Sequence, residues 1–177
     1  NLLNNKFCYN VLMKITLYTD GASRGNPGRG GWGVYIEVQK DKLYTTKLSG
    51  GERDTTNNKM ELTATLEGLK YIKKNLTKIL DNEDVKIKIK TDSKYVKNGI
   101  TEWIINWEKN NWKGSNKKPV ANQELWKELL SLKNSINDKL AKATFSELKF
   151  EYVEGHAGIH GNEMADVLAT EAADSLL

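Results

Sequence analysis

The chain has 177 residues, 38% apolar and 28% charged, with a formal net charge of +4. That length suffices for one domain with a sizeable core, and no stretch approaches the ~18 consecutive apolar residues of a membrane span. A single cysteine, Cys8, excludes an internal disulfide and cysteine-rich zinc sites. Two histidines are too few for a typical histidine-based centre, so any metal must be held by oxygen, which points to Mg²⁺ or Mn²⁺.

Residues 1–12 are too polar for a signal peptide and lack a basic start. They are expected to be a leader, an expression remnant or a linker, with one domain over 13–177. The lone cysteine suits a reducing compartment, which makes the cytoplasm the expected location.

Residues 15–19 read as a first strand, ending in Asp20. The stretch "YTDGASRGNPGRGGWGVYIEV" then holds six glycines between positions 21 and 33. Gly28 to Gly33 spells G-x-G-x-x-G, but a dinucleotide-binding loop needs a helix after it. Here an alternating apolar run follows, which predicts a strand over 31–39. No G-K-[ST] is present, so a phosphate-binding P-loop is excluded as well. A third strand over 43–49 pairs with the second through the short "KDK".

Leu62, Leu66, Leu69, Ile72 and Leu76 recur at helical spacing and predict a helix from 57. "DVKIKIKTD" alternates strictly and predicts a fourth strand, ending at Asp92. A short helix follows from Ser93, and Thr101 is a candidate cap for another through Trp107. "KNNWKGSNKKP" is a polar loop. Leu125, Trp126, Leu129, Leu132 and Ile136 share one face of a helix over 122–140. "FSELKFEYVE" predicts a fifth strand, and Asn162 opens a last, Ala-rich helix. Three antiparallel strands before alternating helices and strands give an α/β arrangement around one mixed sheet.

The chemistry rests on acids. Asp20 and Asp92 each close a strand, and ligands of open α/β sheets sit at such carboxyl ends. Two aspartates side by side repel unless a cation or proton lies between them. The rival reading is that each caps the turn or helix that follows. Glu61 and Asp166 lie early in the two long helices, where the helix dipole favours acids in any case. Residues 94–118 carry six lysines against two glutamates and hold Trp103, Trp107 and Trp112. Lysines interleaved with aromatics suit a polyanion with stackable bases, and equally suit a helical hairpin with tryptophans in its core.

Together, "YTDGASRGNPGRGGWG", "TTNNKMEL", "TDSKYVKNGITEWIINWEKNNWKGSNKKPVANQELW" and "VEGHAGIHGNEMADVLA" resemble the type 1 ribonuclease H family, closely its bacterial cellular form. They occur in the family's order and spacing and cover nearly everything from Lys14 onward. The resemblance implies a ribonuclease H-like fold: a five-stranded mixed sheet, strands 1–3 antiparallel, strands 4 and 5 parallel to strand 1, helices on both faces. It implies an endoribonuclease that hydrolyses the RNA strand of an RNA–DNA hybrid, leaving 5′-phosphate and 3′-hydroxyl ends. It implies two Mg²⁺ ions, with Mn²⁺ as a substitute, held by Asp20, Glu61, Asp92 and Asp166. Asp20 then bridges the ions, Glu61 and Asp92 serve the leaving-group side, and Asp166 serves the nucleophilic water. His156, in "GHAG", assists proton transfer or product release.

The resemblance also assigns substrate contacts. Asn26, Asn57 and Asn58 would read 2′-hydroxyls, with small residues after the first strand admitting the RNA and Gly30–Gly33 serving the hairpin. Thr56 and Asn122 match a DNA phosphate pocket. Where some relatives carry Arg two residues before that Thr, this chain has Asp54, and the adjacent Arg53 is the candidate substitute. Tyr95 and Trp103 match an aromatic channel. The arm with Trp107, Trp112 and Lys113, part of a basic protrusion over about 101–121, grips the hybrid by charge. The expected partner is the hybrid alone, bound by a monomer away from any membrane. The segment 131–147 is longer and richer in Lys and Asn than the common pattern and receives no role. Competing readings are a catalytically silent nucleic-acid-binding domain, the nuclease domain of a retroelement polymerase, and a transposase or junction resolvase with clustered acids.

Overall fold

The computed structural model describes residues 12–81, 84–144 and 146–176. The expected leader, apart from residue 12, and Cys8 lie outside the described residues. Along the chain run β1 (Met13–Gly25), β2 (Gly28–Gln39), β3 (Leu43–Thr55), α1 (Asn57–Ile79), β4 (Val85–Thr91), α2 (Lys94–Asn98), a π-helical turn (Gly99–Trp103), α3 (Ile104–Lys109), α4 (Gln123–Thr144), β5 (Lys149–Tyr152) and α5 (His160–Asp174). The sheet order is β3-β2-β1-β4-β5. β1 and β2, and β2 and β3, pair antiparallel. β4 lies parallel to β1 and β5 parallel to β4. The architecture is the expected five-stranded mixed sheet, with α1 and α4 packed together on one face and α5 laid across β1, β2 and β3 on the other.

The strict alternation of β4, Val-Lys-Ile-Lys-Ile-Lys-Thr, sends Val85, Ile87 and Ile89 inward and the lysines outward. Ile15, Leu17 and Leu69, Ile72, Leu76 from α1 join them in a fully buried core. Trp126, Leu129, Ile136 and Leu140 of α4 complete it. The periodicities of three to four and of two, legible in the sequence, are thus the two sides of one packed layer.

Several element ends differ from expectation. β1 does not stop at residue 19: past Asp20 it continues to Gly25 as a ribbon with β2, and only its pairing with β4 ends at Thr19. β3 runs six residues past Ser49, to Thr55. β5 keeps only four residues. Thr101 caps nothing. Its hydroxyl donates to the Lys97 carbonyl at 2.7 Å, inside the helical run that passes from α2 to α3 through the π-helical turn. Asn162 does not open α5 but lies within its first turn, after the cap position at Ile159.

Gly31 and Gly33 belong to β2 rather than to the hairpin turn. A Cβ on Gly31 would stand 2.2 Å from the Ala169 carbonyl oxygen, and one on Gly33 2.3 Å from that of Ala165. Ala165, Ala169 and Ala173 are fully buried. Small residues on both partners therefore let α5 settle backbone to backbone on β2, which sets the depth of Asp166 on that helix. Gly33→Ala should lower stability by roughly 1–3 kcal/mol, the cost of overfilling a packed contact, read as a reduced midpoint in thermal unfolding; an unchanged midpoint would mean that α5 is not seated on β2 in this way.

Candidate active site

Because Thr19 on β1 stands beside Thr91 on parallel β4, the following residues, Asp20 and Asp92, emerge together at one sheet edge. Glu61 reaches the same point from α1. Thr56 caps that helix by accepting from the Lys59 N–H at 3.3 Å. Gly21 lets its start rest on β1: a Cβ there would lie 2.2 Å from the Glu61 nitrogen. Glu61 is the fifth residue of α1, past the first turn, so the helix dipole is not what accounts for an acid there.

Asp20, Glu61 and Asp92 each offer a carboxylate oxygen, and these oxygens lie within 4.8 Å of one another. Asp20 and Glu61 are buried, 7% and 6% exposed, and Asp92 is half-buried. Burial first, then the charge of Asp92, pushes the Asp20 carboxyl up to about 8, although the Gly21 N–H bound to it at 2.7 Å opposes the rise. Burial, then Asp20 and Asp92, carries Glu61 well above the usual carboxylate range, against the pull of the Gly21 N–H and the Asn57 side chain. Glu61 Oε2 is buried without a hydrogen-bond partner. No lysine or arginine forms an ion pair with the three among the described residues. A hard, oxygen-preferring cation fits this donor set, which otherwise stays ionised only at high cost.

Asp166 stands outside the set of three but near enough to Asp20 that its charge adds to the rise of the Asp20 pKa. Asp92 caps no helix: Ser93 does, accepting from the Val96 N–H at 3.3 Å. Instead Asp92 Oδ2 accepts from Asn162 Nδ2 at 3.0 Å. Asn162 is 2% exposed and its Oδ1 has no partner. This residue escaped the sequence reading because an Asn early in a helix reads first as a cap.

His156 is exposed, with φ of 54°, in the loop between β5 and α5. The loop borders the site at Gly155, where a Cβ would lie 2.8 Å from Asp92 Oδ2. His160 lies edge-on to Tyr35, away from the acids, at a ring distance of 5.7 Å.

Of the expected substrate contacts, Asn26 Oδ1 accepts from the Asn57 N–H at 3.2 Å, joining the β1–β2 turn to the start of α1. Asn58 is exposed beside them. Arg53 does not turn toward Thr56 as a substitute; its guanidinium donates to the Leu176 carbonyl at 3.2 Å. The Tyr95 hydroxyl accepts from Asn122 Nδ2 at 3.2 Å and from Trp126 Nε1 at 3.0 Å. Trp126 was legible as core, but not as a donor. Trp103 is 37% exposed and stacks at a tilt on Trp107, which packs in turn against Trp112 and Trp126. Trp107 and Trp112 are half-buried against the main core, as the hairpin reading of the tryptophans expects. Lys113 is exposed at the bridge to Pro119.

A carboxyl whose pKa is higher folded than unfolded favours the folded state at low pH, and that contribution is lost as pH rises through the folded value. In EDTA, therefore, Asp20→Asn should melt progressively higher than the parent chain as the buffer goes from about pH 5 to about pH 9. Saturating Mg²⁺ should erase most of that difference. A melting difference independent of pH would contradict the buried, mutually repelling acids.

Residues 13–174 match the family described as RNase H. A ribonuclease H from Ruthia magnifica subsp. Calyptogena magnifica is 47% identical over 163 residues, spanning 92% of this chain and 97% of that protein. A protein named ribonuclease HI from Neisseria meningitidis serogroup B is 45% identical over 159 residues, spanning 90% and 94%. Among solved structures, LC9-RNase H1, described as a type 1 RNase H with the type 2 active-site motif, superposes with a TM-score of 0.70 at 25% identity over 95% of this chain and 74% of that one. LC11-RNase H1, crystallised in complex with RNA/DNA hybrid, gives 0.60 at 25% identity over 91% and 97%. With that match over most of its length, the chain belongs to the ribonuclease H family.

Proposed function

We propose that this ribonuclease H cleaves the RNA strand of RNA–DNA hybrids with two divalent cations, leaving 5′-phosphate and 3′-hydroxyl ends. The observation that carries the reading is the trio of buried Asp20 and Glu61 and half-buried Asp92, whose oxygens lie within 4.8 Å of one another, with Glu61 Oε2 unpartnered. Mg²⁺ is the proposed ion and Mn²⁺ its substitute, because all the donors are hard oxygens. Bound there, the ions would supply Lewis-acid activation of the attacking water and charge neutralisation at the leaving oxygen.

The protein residues divide the remaining work. Asp20 would serve both ions, and Glu61 and Asp92 would serve the leaving-group side, with Asn162 holding Asp92 by its hydrogen bond. Asp166, near Asp20, would orient the water. His156, exposed on a loop that borders Asp92, carries a proton in or out. Imidazole is the commonest side chain for such proton transfer, which fits that task. Asn26, Asn57 and Asn58 cluster where the minor groove of a hybrid would meet the acids, and suit 2′-hydroxyl recognition. Tyr95 and Asn122 meet in one hydrogen-bond network beside Trp103. Because that hydroxyl already accepts two N–H groups, its own proton is left to donate, which suits a DNA phosphate. The lysines of the arm would contact phosphates, so binding should depend on salt and not on sequence. No helix among the described residues is long and apolar enough to cross a membrane. A monomer acting in the cytoplasm is the proposed setting.

Asp20→Asn should lower hydrolysis of a labelled hybrid in Mg²⁺ by at least about a thousandfold, the scale of losing a group that stabilises transition-state charge, with circular dichroism unchanged. Full activity in that variant would overturn the assigned site. His156→Ala should slow turnover by about a hundredfold and leave it measurable; an unchanged rate makes His156 a bystander. Replacing Lys113, Lys117 and Lys118 with Ala should raise KM several-fold, about tenfold near physiological salt, and a constant KM would show that the arm does not hold the substrate.

A further inference from the structure

α5 covers β1, β2 and β3, which leaves the same face of β4 and β5 open. The outward residues there include Lys86, Lys88 and Lys90 of β4, Lys14 of β1 and, on β5, Lys149 and Glu151. With Asn137, Asp138 and Ala141 of α4 and with Ser146 and Glu147 of the connection into β5, the five lysines line a groove of about 1120 Å³, whose acidic lining residues are Asp138 and Glu147. Five lysines against two acids leave the groove cationic.

The register sharpens this. Lys14 stands directly beside Lys86, and Lys88 directly beside Lys149. Like charges facing each other across strands oppose sheet formation. Lys88 is relieved by Glu151 at 2.6 Å, and Lys90 lies over the Tyr18 ring, 5.5 Å from its centre. Among the described residues, Lys14, Lys86 and Lys149 make no ion pair, and all three are exposed. Two adjacent like-charged pairs in a groove bordered by α4 form a surface that an anion would stabilise.

The groove spans three strands, a width of about 10 Å at the usual strand spacing, which suits one backbone better than a duplex. It begins at Lys90, two residues before Asp92, and leads away from the acids along β4. We propose that this face binds the sugar–phosphate backbone of a single strand running off the end of the hybrid, so that the enzyme favours hybrids with a single-stranded tail. This rests on the hybrid-hydrolysis reading for the origin of the strand, but the charge argument does not depend on it. Contacts are to phosphates, so the preference is indifferent to sequence.

The test compares the full chain with Lys86→Glu/Lys149→Glu and with Lys86→Ala/Lys149→Ala, which guards against misfolding of the reversed-charge variant. Fluorescence anisotropy reads binding of a single-stranded DNA of about ten nucleotides, within the span one such site covers. In parallel, KM is measured on a blunt hybrid and on the same hybrid bearing that DNA as a tail. The expected result is about tenfold weaker oligonucleotide binding in the Glu variant and a salt slope shallower by about 1.4, two single-strand phosphate contacts. The tail should lower KM for the parent chain but not for either variant, while blunt-hybrid kinetics stay within about twofold. Unchanged oligonucleotide affinity in both variants, or a tail without effect on the parent's KM, overturns the proposal. So does poly-glutamate binding the groove more tightly than the oligonucleotide, which would assign the face to an acidic protein segment. Lysine-dependent oligonucleotide binding in a chain that does not cleave hybrid would instead remove the hydrolase reading and leave the strand-binding face.

Discussion

Three carboxylates that repel one another are held side by side, two of them buried, and the rest of the molecule is arranged so that they cannot move apart. The parallel register of β1 and β4 fixes Asp20 beside Asp92. The absence of a side chain at Gly21 lets α1 bring in Glu61. Asn162, buried in α5, clamps Asp92 at 3.0 Å. β1, β4 and α1 are anchored in a core of Leu, Ile and Trp side chains that are almost fully buried, and α5 in a second cluster where Ala165 meets Tyr18 and Tyr35. The hydrophobic energy of that core is what offsets the charge repulsion, and a bound cation converts the repulsion into affinity.

The basic arm works on a different principle. Its lysines are exposed, but their position is set by an aromatic cluster in which Trp107 packs against Trp103, Trp112 and Trp126, and Tyr95 against Trp103 and Trp126. Asn111, Trp112, Lys117 and Asn122 all have left-handed φ, between 52° and 61°. Such conformations cost energy in residues other than glycine and persist only where neighbours enforce them. Here the Trp112 N–H donates to Trp107 at 2.7 Å and the Val120 N–H to Trp112 at 3.0 Å, closing the loop on itself. An arm already closed by its own hydrogen bonds presents its charge without first having to order it, which would favour the proposed sequence-blind contact with phosphates.

Much of this was legible in the sequence. Strand and helix order follow from periodicity, and the acids stand out because Asp20 and Asp92 each follow an alternating apolar strand. The resemblance then supplied Glu61 and Asp166, which composition alone leaves ambiguous. What stayed hidden depends on distance across the fold. The glycines of β2 read as hairpin residues because their reason, the backbone of α5, is more than 130 residues away in the chain. Asn162 read as a cap because its partner, Asp92, is 70 residues distant. Arg53 seemed available for a phosphate, yet a C-terminal carbonyl holds it. Local rules see the residue and its neighbours, and these three roles are set by tertiary approach.

The central claim is that these acids are gathered to hold divalent cations. Anomalous scattering from crystals soaked in Mn²⁺ measures it directly. The account predicts a strong peak between Asp20, Glu61 and Asp92, within about 2.0–2.6 Å of their carboxylate oxygens, and its loss in Asp20→Asn. Carboxylates that remain together with no peak at saturating Mn²⁺ would contradict it.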